Sequence, residues 1–216
     1  MTPALLHRMI VAVADEVIAH SDELTALDQA VGDGDHGINM KRGVEAVRVD
    51  AKATAQKPLP DALKAIGAQL VMKVGGASGP LYGTLLLALG KEIAPDASNL
   101  PAAFASAVEA VKSRGKSQPG PKTMLDVLAP VQMALAEGGG DLSVRLPKVA
   151  ASAADATIPM LATRGRACKP TALTSSARSV ACSVTVWSFI AGSFIVEKVP
   201  RPCAGRSPAA NRRTLR

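Results

Sequence analysis

The sequence predicts an all-α protein, an antiparallel bundle of about seven helices with its functional groups in loops at one end. Aromatic residues make up only 2% of the 216 residues, and alanine and leucine dominate the 48% hydrophobic fraction. Such small aliphatic side chains favour closely packed helices over a β-sandwich, which would be richer in Val, Tyr and Thr. No alternating strand pattern is present before residue 170, so a helical bundle is the expected architecture.

The first part of the chain predicts three helices. Apolar residues at positions 5, 6, 9, 10, 13, 17 and 18 have helical spacing and predict a helix over residues 2–20. Ser21 and Asp22 can cap a short second helix that runs to about residue 30. A third helix is expected from about residue 36 to residue 53.

The rest of the domain is expected to be helical as well. Pro60, Gly75-Gly76, Asn99, Gly115 and the glycines at 138–140 mark where helices begin or end. The helices predicted between these signals are 59–74, 81–93, 101–114, 122–137 and 146–162.

Charge and cysteine usage divide the chain near residue 167. Residues 1–167 carry 17 Lys+Arg and 17 Asp+Glu, whereas residues 168–216 carry 8 Lys+Arg against the single acid Glu197. Cys168, Cys182, Cys203 and the only tryptophan, Trp187, also lie in the second part. We therefore expect a helical domain over 1–167 and an atypical basic tail over 168–216 that is partly disordered.

Composition also limits the partners and the compartment. The domain itself has no net charge, so neither a nucleic acid nor a membrane is expected as a partner; a nucleic-acid-binding arm in the tail is the weaker alternative. The most hydrophobic window, 184–196, is too short for a confident membrane span. Three cysteines with no zinc-site spacing and no visible export signal indicate a cytoplasmic protein.

A dense cluster of carboxylates and glycines follows the second predicted helix. Residues 32–40 read GDGDHGINM, and Asp28 lies just upstream of Asp33 and Asp35. Carboxylate oxygens suit Mg²⁺, which usually lies between one or two carboxylates and the phosphates of a nucleotide. The alternative is a helix–loop–helix corner in which Asp and Gly only supply turns and caps. The helix that follows favours the first interpretation, because its N-terminus attracts phosphate.

Two further loops carry groups suited to a nucleotide. Residues 75–84, GGASGPLYGT, form a glycine-rich turn that enters a helix, and its backbone amides and the Ser78 hydroxyl can hold a phosphate. A close crossing of two helices through small residues would give the same pattern. Residues 114–126, RGKSQPGPKTMLD, place Lys116 and Lys122 before a helix, either over a nucleotide or simply in a solvated loop.

Together these stretches resemble the nucleotide-binding L subunit of bacterial dihydroxyacetone kinases. The resemblance rests on LDQAVGDGDHGINMKRGVEAV (27–47), GGASGPLYGT (75–84), RGKSQPGPKTMLDVLAP (114–130) and ATRGRA (162–167), and it covers nearly all of residues 1–167. It implies a barrel-like bundle of eight antiparallel helices with ADP or ATP at one end. It also implies a kinase subunit that transfers a phosphoryl group to dihydroxyacetone, which a separate K subunit holds covalently.

The resemblance further implies which residues form the site. Asp28, Asp33 and Asp35 would hold two Mg²⁺ ions that bridge the phosphates. The residues implied to contact the nucleotide are His36, Gly37, Ile38 and Asn39 on the phosphate and ribose side, Ala77 and Ser78 at a phosphate, and Gly115 and Met124 beside the adenine. No catalytic residue is implied, because the metal and the partner subunit supply the chemistry. The phosphodonor, ATP or a phosphotransferase-system protein, stays open.

The chain departs from the family pattern in two places. Pro121 stands where the family has an acidic residue, and the family's GERS-like and Asp-Pro-Gly segments are missing after Ala167. The breaks in charge and cysteine content fall at the same position, which leads to the hypothesis of a shifted reading frame at 167–168. The alternative function is a catalytically impaired nucleotide-binding or regulatory module.

Overall fold

The computed structural model describes residues 1–29, 33–120, 123–137 and 149, and every regular element in this part of the chain is a helix. The all-α prediction is therefore confirmed. The helices are α1 (Pro3–Ala19), α2 (Ser21–Gln29), α3 (His36–Val49), α4 (Ala51–Thr54), α5 (Leu59–Lys73), α6 (Ser78–Glu92), α7 (Leu100–Gly115) and α8 (Leu125–Ala136).

The first helix shows how local sequence and core packing agree. The Thr2 side chain caps α1 by accepting a hydrogen bond from the Leu5 N–H at 3.3 Å, and Pro3 occupies the first turn, where no N–H is needed. One face of α1 is buried in the core; its members are Leu6, Met9, Ile10, Ala14 and Val17. These positions recur at helical spacing, as the sequence pattern predicted.

The helices pack in chain order around an apolar interior. Helix α1 contacts α3, α3 contacts α5, and α5, α6 and α7 each contact the next helix in the chain. The short helices α2 and α4 pack mainly on α3 and α1, respectively. Apolar side chains of α1, α3, α5 and α6 surround a cavity of about 80 Å³.

Helices α5 and α6 make the most extensive helix–helix contact in the described part of the chain. A Cβ at Gly83 would lie 2.8 Å from the carbonyl oxygen of Gly67, so two glycines face each other where these helices cross. Only residues 74–77 connect the two helices, which makes them an antiparallel hairpin. The end of α5 and the start of α6 therefore share one end of the bundle with the turn between them.

Several helix boundaries differ from the sequence prediction. The third helix breaks at Asp50, whose N–H bonds back to Ala46, and α4 begins just after it. Helix α6 begins at Ser78 instead of residue 81, and α8 begins at Leu125 instead of residue 122. Both starts follow loop backbone that sequence periodicity does not describe.

Two predicted capping residues act differently from the expectation. Asn99 precedes α7 but makes no side-chain cap; its Oδ1 accepts from the Ala94 N–H at 2.7 Å, and its Nδ2 donates to the Glu92 carbonyl at 2.8 Å. Lys116, rather than Gly115, takes the left-handed conformation that ends α7, with a φ of 46°. A local turn thus replaces the predicted cap at one end of α7, and a lysine replaces the predicted glycine at the other.

Some predictions lie outside the described residues. They are the glycines at 138–140, most of the helix at 146–162, and the tail at 168–216. Val149 is the one described residue of that helix; it is helical, and only 2% of its surface is exposed. None of the described helices is both long and apolar enough to cross a membrane.

Candidate metal and nucleotide site

The three aspartates of the loop between α2 and α3 come together in space. Each of Asp28, Asp33 and Asp35 places a carboxylate oxygen within 4.8 Å of those of the other two. Asp28 is half-buried, whereas Asp33 and Asp35 are exposed. Like charges this close repel one another, so the arrangement favours a bound cation.

The Asp28 side chain holds the loop by hydrogen bonds to the loop backbone. Its Oδ2 accepts hydrogen bonds from the N–H groups of Asp35 at 3.1 Å and His36 at 3.3 Å. The carboxylate thus satisfies donors at the N-terminus of α3, where Asp35 occupies the capping position but makes no side-chain cap. Because Asp28 accepts these hydrogen bonds from its position near the end of α2, the Asp35 carboxylate does not cap α3.

The start of α3 lies directly against α2. A Cβ at Gly37 would lie 1.9 Å from the Ser21 carbonyl oxygen and 2.3 Å from the Thr25 Oγ1. Gly37 therefore allows the two helices to meet, in addition to the nucleotide contact that the resemblance implies for it. The next residue, Ile38, is 62% exposed and lies on the outer side of this first turn.

His36 joins the aspartate loop to the glycine-rich turn. Its Nδ1 lies 3.2 Å from the Ser78 Oγ, although the two residues are 42 positions apart in sequence. Burial lowers the pKa of His36 below its ordinary value, and the nearby Asp28 and Asp35 carboxylates only partly oppose this shift. An imidazole with a lowered pKa, bonded to Ser78, therefore stands beside the aspartates.

Asn39 is buried one turn further along α3. Only 8% of its surface is exposed, and its Oδ1 accepts a hydrogen bond from the Arg42 guanidinium at 2.8 Å. Its backbone N–H donates to the Asp35 carbonyl at 2.9 Å and completes the first turn of the helix. Ala77 precedes α6 and is exposed beside Ser78.

The segment that begins at the end of α7, residues 114–126, adjoins the glycine-rich turn through a contact with α6. A Cβ at Gly115, the last residue of α7, would lie 3.4 Å from the Leu81 side chain in the first turn of α6. Met124 precedes α8 and packs partly buried against the core. Helix α8, which begins after Met124, packs on α7, and Pro121 and Lys122 lie outside the described residues.

The sequence interpretation missed the residue that shapes this third loop. Asp126 accepts hydrogen bonds from the N–H groups of Thr123, at 2.7 Å, and Gly120. The Thr123 Oγ1 in turn accepts from the Leu125 N–H at 3.2 Å, so Thr123 and Asp126 cap the start of α8 together. The Thr-x-x-Asp spacing is a capping-box signal that could have identified both residues and the true start of α8.

The donor set fits a hard divalent cation. Three carboxylates supply only oxygen ligands, two of them exposed, whereas the described residues here offer no sulfur ligand. The His36 N–H bonds to Asp28, and the Asn39 N–H closes the first turn. The N–H groups of Gly37 and Ile38, in contrast, have no acceptor within the helix. Carboxylates suited to a cation and amides suited to a phosphate thus lie side by side.

Comparisons with known proteins identify the family of this chain. The family model described as the DAK2 domain matches residues 30–175. The chain is 43% identical over 147 residues to the ADP-binding subunit DhaL of a PEP-dependent dihydroxyacetone kinase from Listeria innocua, covering 67% of this chain and 72% of that one. It is 41% identical over 157 residues to the Escherichia coli DhaL, covering 68% and 75%.

A solved structure shows the same fold. The chain aligns with the dihydroxyacetone kinase from C. freundii in complex with AMP-PNP and Mg²⁺ at a TM-score of 0.63 and 23% identity, over 86% of this chain and 34% of that one. The chain thus spans about a third of that enzyme. Fold and sequence place it among kinase subunits. The chain belongs to the DAK2-domain family, with the L subunits of dihydroxyacetone kinases.

Proposed function

We propose that this chain is the Mg-nucleotide-binding subunit of a dihydroxyacetone kinase and transfers a phosphoryl group to dihydroxyacetone held on a separate K subunit. The observation that carries the proposal is the cluster of three aspartate carboxylates within 4.8 Å at the N-terminus of a helix. The names of the relatives, ADP-binding subunits of dihydroxyacetone kinases, support it.

Asp28, Asp33 and Asp35 would hold two Mg²⁺ ions. One Mg²⁺ ion is usually bound by one or two carboxylates together with phosphate oxygens, so three carboxylates suffice for two ions that share a nucleotide. When bound, Mg²⁺ neutralises the charge that develops on a transferred phosphoryl group. The role of the aspartates is to hold that positive charge at a fixed place next to α3.

The nucleotide would lie across the ends of α3, α6 and α7. His36, Gly37, Ile38 and Asn39 offer the first turn of α3 to the phosphates and ribose. Ala77 precedes α6 and Ser78 begins it, on the other side of the His36–Ser78 contact. Gly115 and Met124 would border the adenine. Positioning and charge neutralisation are what phosphoryl transfer chiefly requires, and these elements supply both.

The acceptor and the phosphodonor would come from other proteins. His36 is partly buried and bonded to Ser78, so it is suited to a place beside a phosphate rather than to carrying a sugar covalently. Relatives named as PEP-dependent and PTS-dependent subunits support a K subunit as partner and a phosphotransferase-system protein as phosphodonor. Bound ADP would then be recharged on this subunit.

Calorimetry with Mg-ADP tests the metal site. Asp33→Asn removes one exposed carboxylate charge with little change of shape, and we expect it to abolish measurable binding. Asp61→Asn is the matched control, because Asp61 is exposed and lies about 18 Å further along α5 from its site end, at 1.5 Å per residue. Equal affinity of the two variants would contradict the proposed site.

A transfer assay separates an active subunit from an impaired binding module. The full chain is mixed with a K subunit and dihydroxyacetone, and either ATP or a phosphorylated phosphotransferase-system protein is supplied. Formation of dihydroxyacetone phosphate with one donor identifies that donor. Mg-ADP binding without product from either donor would instead support the impaired or regulatory module.

A further inference from the structure

Arg42 connects two of the segments that form the proposed site. Its Nε donates a hydrogen bond at 2.9 Å to the carbonyl of Lys73, the last residue of α5, and its Nη2 donates at 2.8 Å to the Asn39 Oδ1. Carbonyls at a helix C-terminus lack partners within the helix and favour a cation. One guanidinium therefore ties the first turns of α3 to the end of α5, 31 residues away in sequence.

Gly75 makes room for this pair. A Cβ at Gly75 would lie 2.6 Å from the Asn39 Oδ1 and 2.9 Å from the Arg42 Nη2. The backbone of the glycine-rich turn is therefore in direct contact with both side chains. Any side chain at position 75 would push them away from the turn.

The contact with Arg42 also decides which way the Asn39 amide faces. A guanidinium has donors only, so the Asn39 oxygen must point toward Arg42 and its NH₂ group must point the other way. Asn39 lies within one turn of Asp35 and His36. Its NH₂ donors are consequently directed by Arg42, and donors are what a phosphate or a ribose hydroxyl can accept from.

We infer that Arg42 is a positioning residue of the nucleotide site, an assignment that rests on the proposed function. It holds the Gly75 turn against α3 and presents the Asn39 NH₂ group to the nucleotide. The fork geometry of the guanidinium is essential, because both hydrogen bonds come from one planar group. A lysine carries the same charge but has no such fork.

Mg-ADP affinity of the full chain, measured by calorimetry, tests this role. We expect Arg42→Ala to weaken binding about tenfold, the scale on which partners that orient a ligand-binding side chain act. Arg42→Lys should weaken binding nearly as much. Asn39→Ala should also weaken it, and the loss in the double variant should be clearly smaller than the sum of the two single losses, because Arg42 acts in part through Asn39.

Arg48→Ala is the matched control. Arg48 lies on the same helix, is similarly exposed, and bonds to Asp15 of α1 at 2.8 Å, so it also joins two helices by a guanidinium. Its loss should leave Mg-ADP affinity unchanged. If Arg42→Ala lowers stability, Arg42→Lys alone decides, since it keeps the charge and most of the side chain.

The outcomes distinguish this inference from the function on which it rests. Wild-type affinity in Arg42→Lys would show that only charge matters and would overturn the positioning role. Additive losses in the Asn39/Arg42 double variant, or an equal loss in Arg48→Ala, would overturn it too. Failure of the wild-type chain to bind Mg-ADP would overturn the proposed function and the inference together.

Discussion

Two loops of the proposed site are held in different ways. The aspartate loop between α2 and α3 has a local bond from the His36 N–H to Asp28, eight residues away, and is also tied to a distant part of the chain, because His36 bonds to Ser78, 42 positions away. Between α7 and α8, Asp126 bonds to the N–H groups of Gly120 and Thr123, which lie no more than six residues away.

The aspartate loop therefore forms only when the bundle folds, whereas the segment before α8 is shaped by hydrogen bonds close in sequence. Tertiary packing sets the positions of the three carboxylates, so their geometry belongs to the folded bundle. The Gly120–Asp126 turn obtains its shape from a capping box, which needs little more than the helix it starts. Substitutions in the aspartate loop should therefore affect nucleotide binding, and those in the segment before α8 mainly the stability of α8.

The largest difference between the two loops should appear when Asp28 and Asp126 are each replaced by alanine. We expect Asp28→Ala to lower Mg-ADP affinity by about 100-fold or more, because it removes a metal ligand and the group that orients the loop. Asp126→Ala should lower the free energy of unfolding by about 1 kcal/mol through the lost cap, with little effect on affinity. Calorimetry and urea unfolding measure the two quantities.

Asp28→Asn is the control for this pair. It keeps an oxygen that can accept from the Asp35 and His36 N–H groups but removes the charge. It should therefore bind Mg-ADP poorly while unfolding at nearly the wild-type urea concentration. Tight binding by Asp28→Asn would show that the charge of Asp28 plays no part in the site.

Two glycines should respond to alanine with opposite signs. Gly37→Ala should lower the free energy of unfolding by about 2 kcal/mol, because its Cβ would overlap the Ser21 carbonyl and separate α2 from α3. Gly115→Ala meets only the Leu81 side chain at 3.4 Å and should raise the free energy by about 0.5 kcal/mol through helix propensity. Equal shifts in urea unfolding would contradict the tight packing inferred at Gly37.

A pair of serines should show the same contrast on a smaller scale. Ser78→Ala removes the contact with His36 and should weaken Mg-ADP binding about fivefold, the equivalent of one hydrogen bond of about 1 kcal/mol. Ser117→Ala removes only a contact with the neighbouring Gln118 carbonyl and should leave the affinity unchanged. A matching loss in both variants would indicate that the His36–Ser78 contact has no special role.

Much of the fold could be predicted from the sequence because helices leave a local pattern. The apolar spacing in α1 and the proline in the first turn of α5 located these helices to within a residue or two. The starts of α6 and α8 were placed wrongly, by three residues in opposite directions. At the start of α8 the hydrogen bonds of Asp126 and Thr123 decide the boundary, whereas at the start of α6 the Leu81 N–H already bonds to the Ala77 carbonyl. Periodicity reports neither.

The site could be predicted only in part. The residue types in GDGDHG indicated metal chemistry, and the three carboxylates do lie together. The link between His36 and Ser78 joins residues 42 positions apart, and the Arg42 bond to Lys73 joins residues 31 apart. Such distances in sequence leave no local signal, so the supporting contacts became visible only with the fold.

The smallest effect is expected from removing the tail. Residues 168–216 hold the excess positive charge and all three cysteines, and the DAK2 family model matches the chain only as far as residue 175. If they were never selected to pack on the bundle, a chain ending at Ala167 should be at least as soluble as the full chain and bind Mg-ADP with the same affinity. Solubility and calorimetry of the two chains, side by side, measure this. A clear loss of solubility would mean that the tail stabilises the fold. A selective loss of affinity would mean that the tail contributes to the part of the site near α7 and α8, and local hydrogen bonds would then not be enough to form that part.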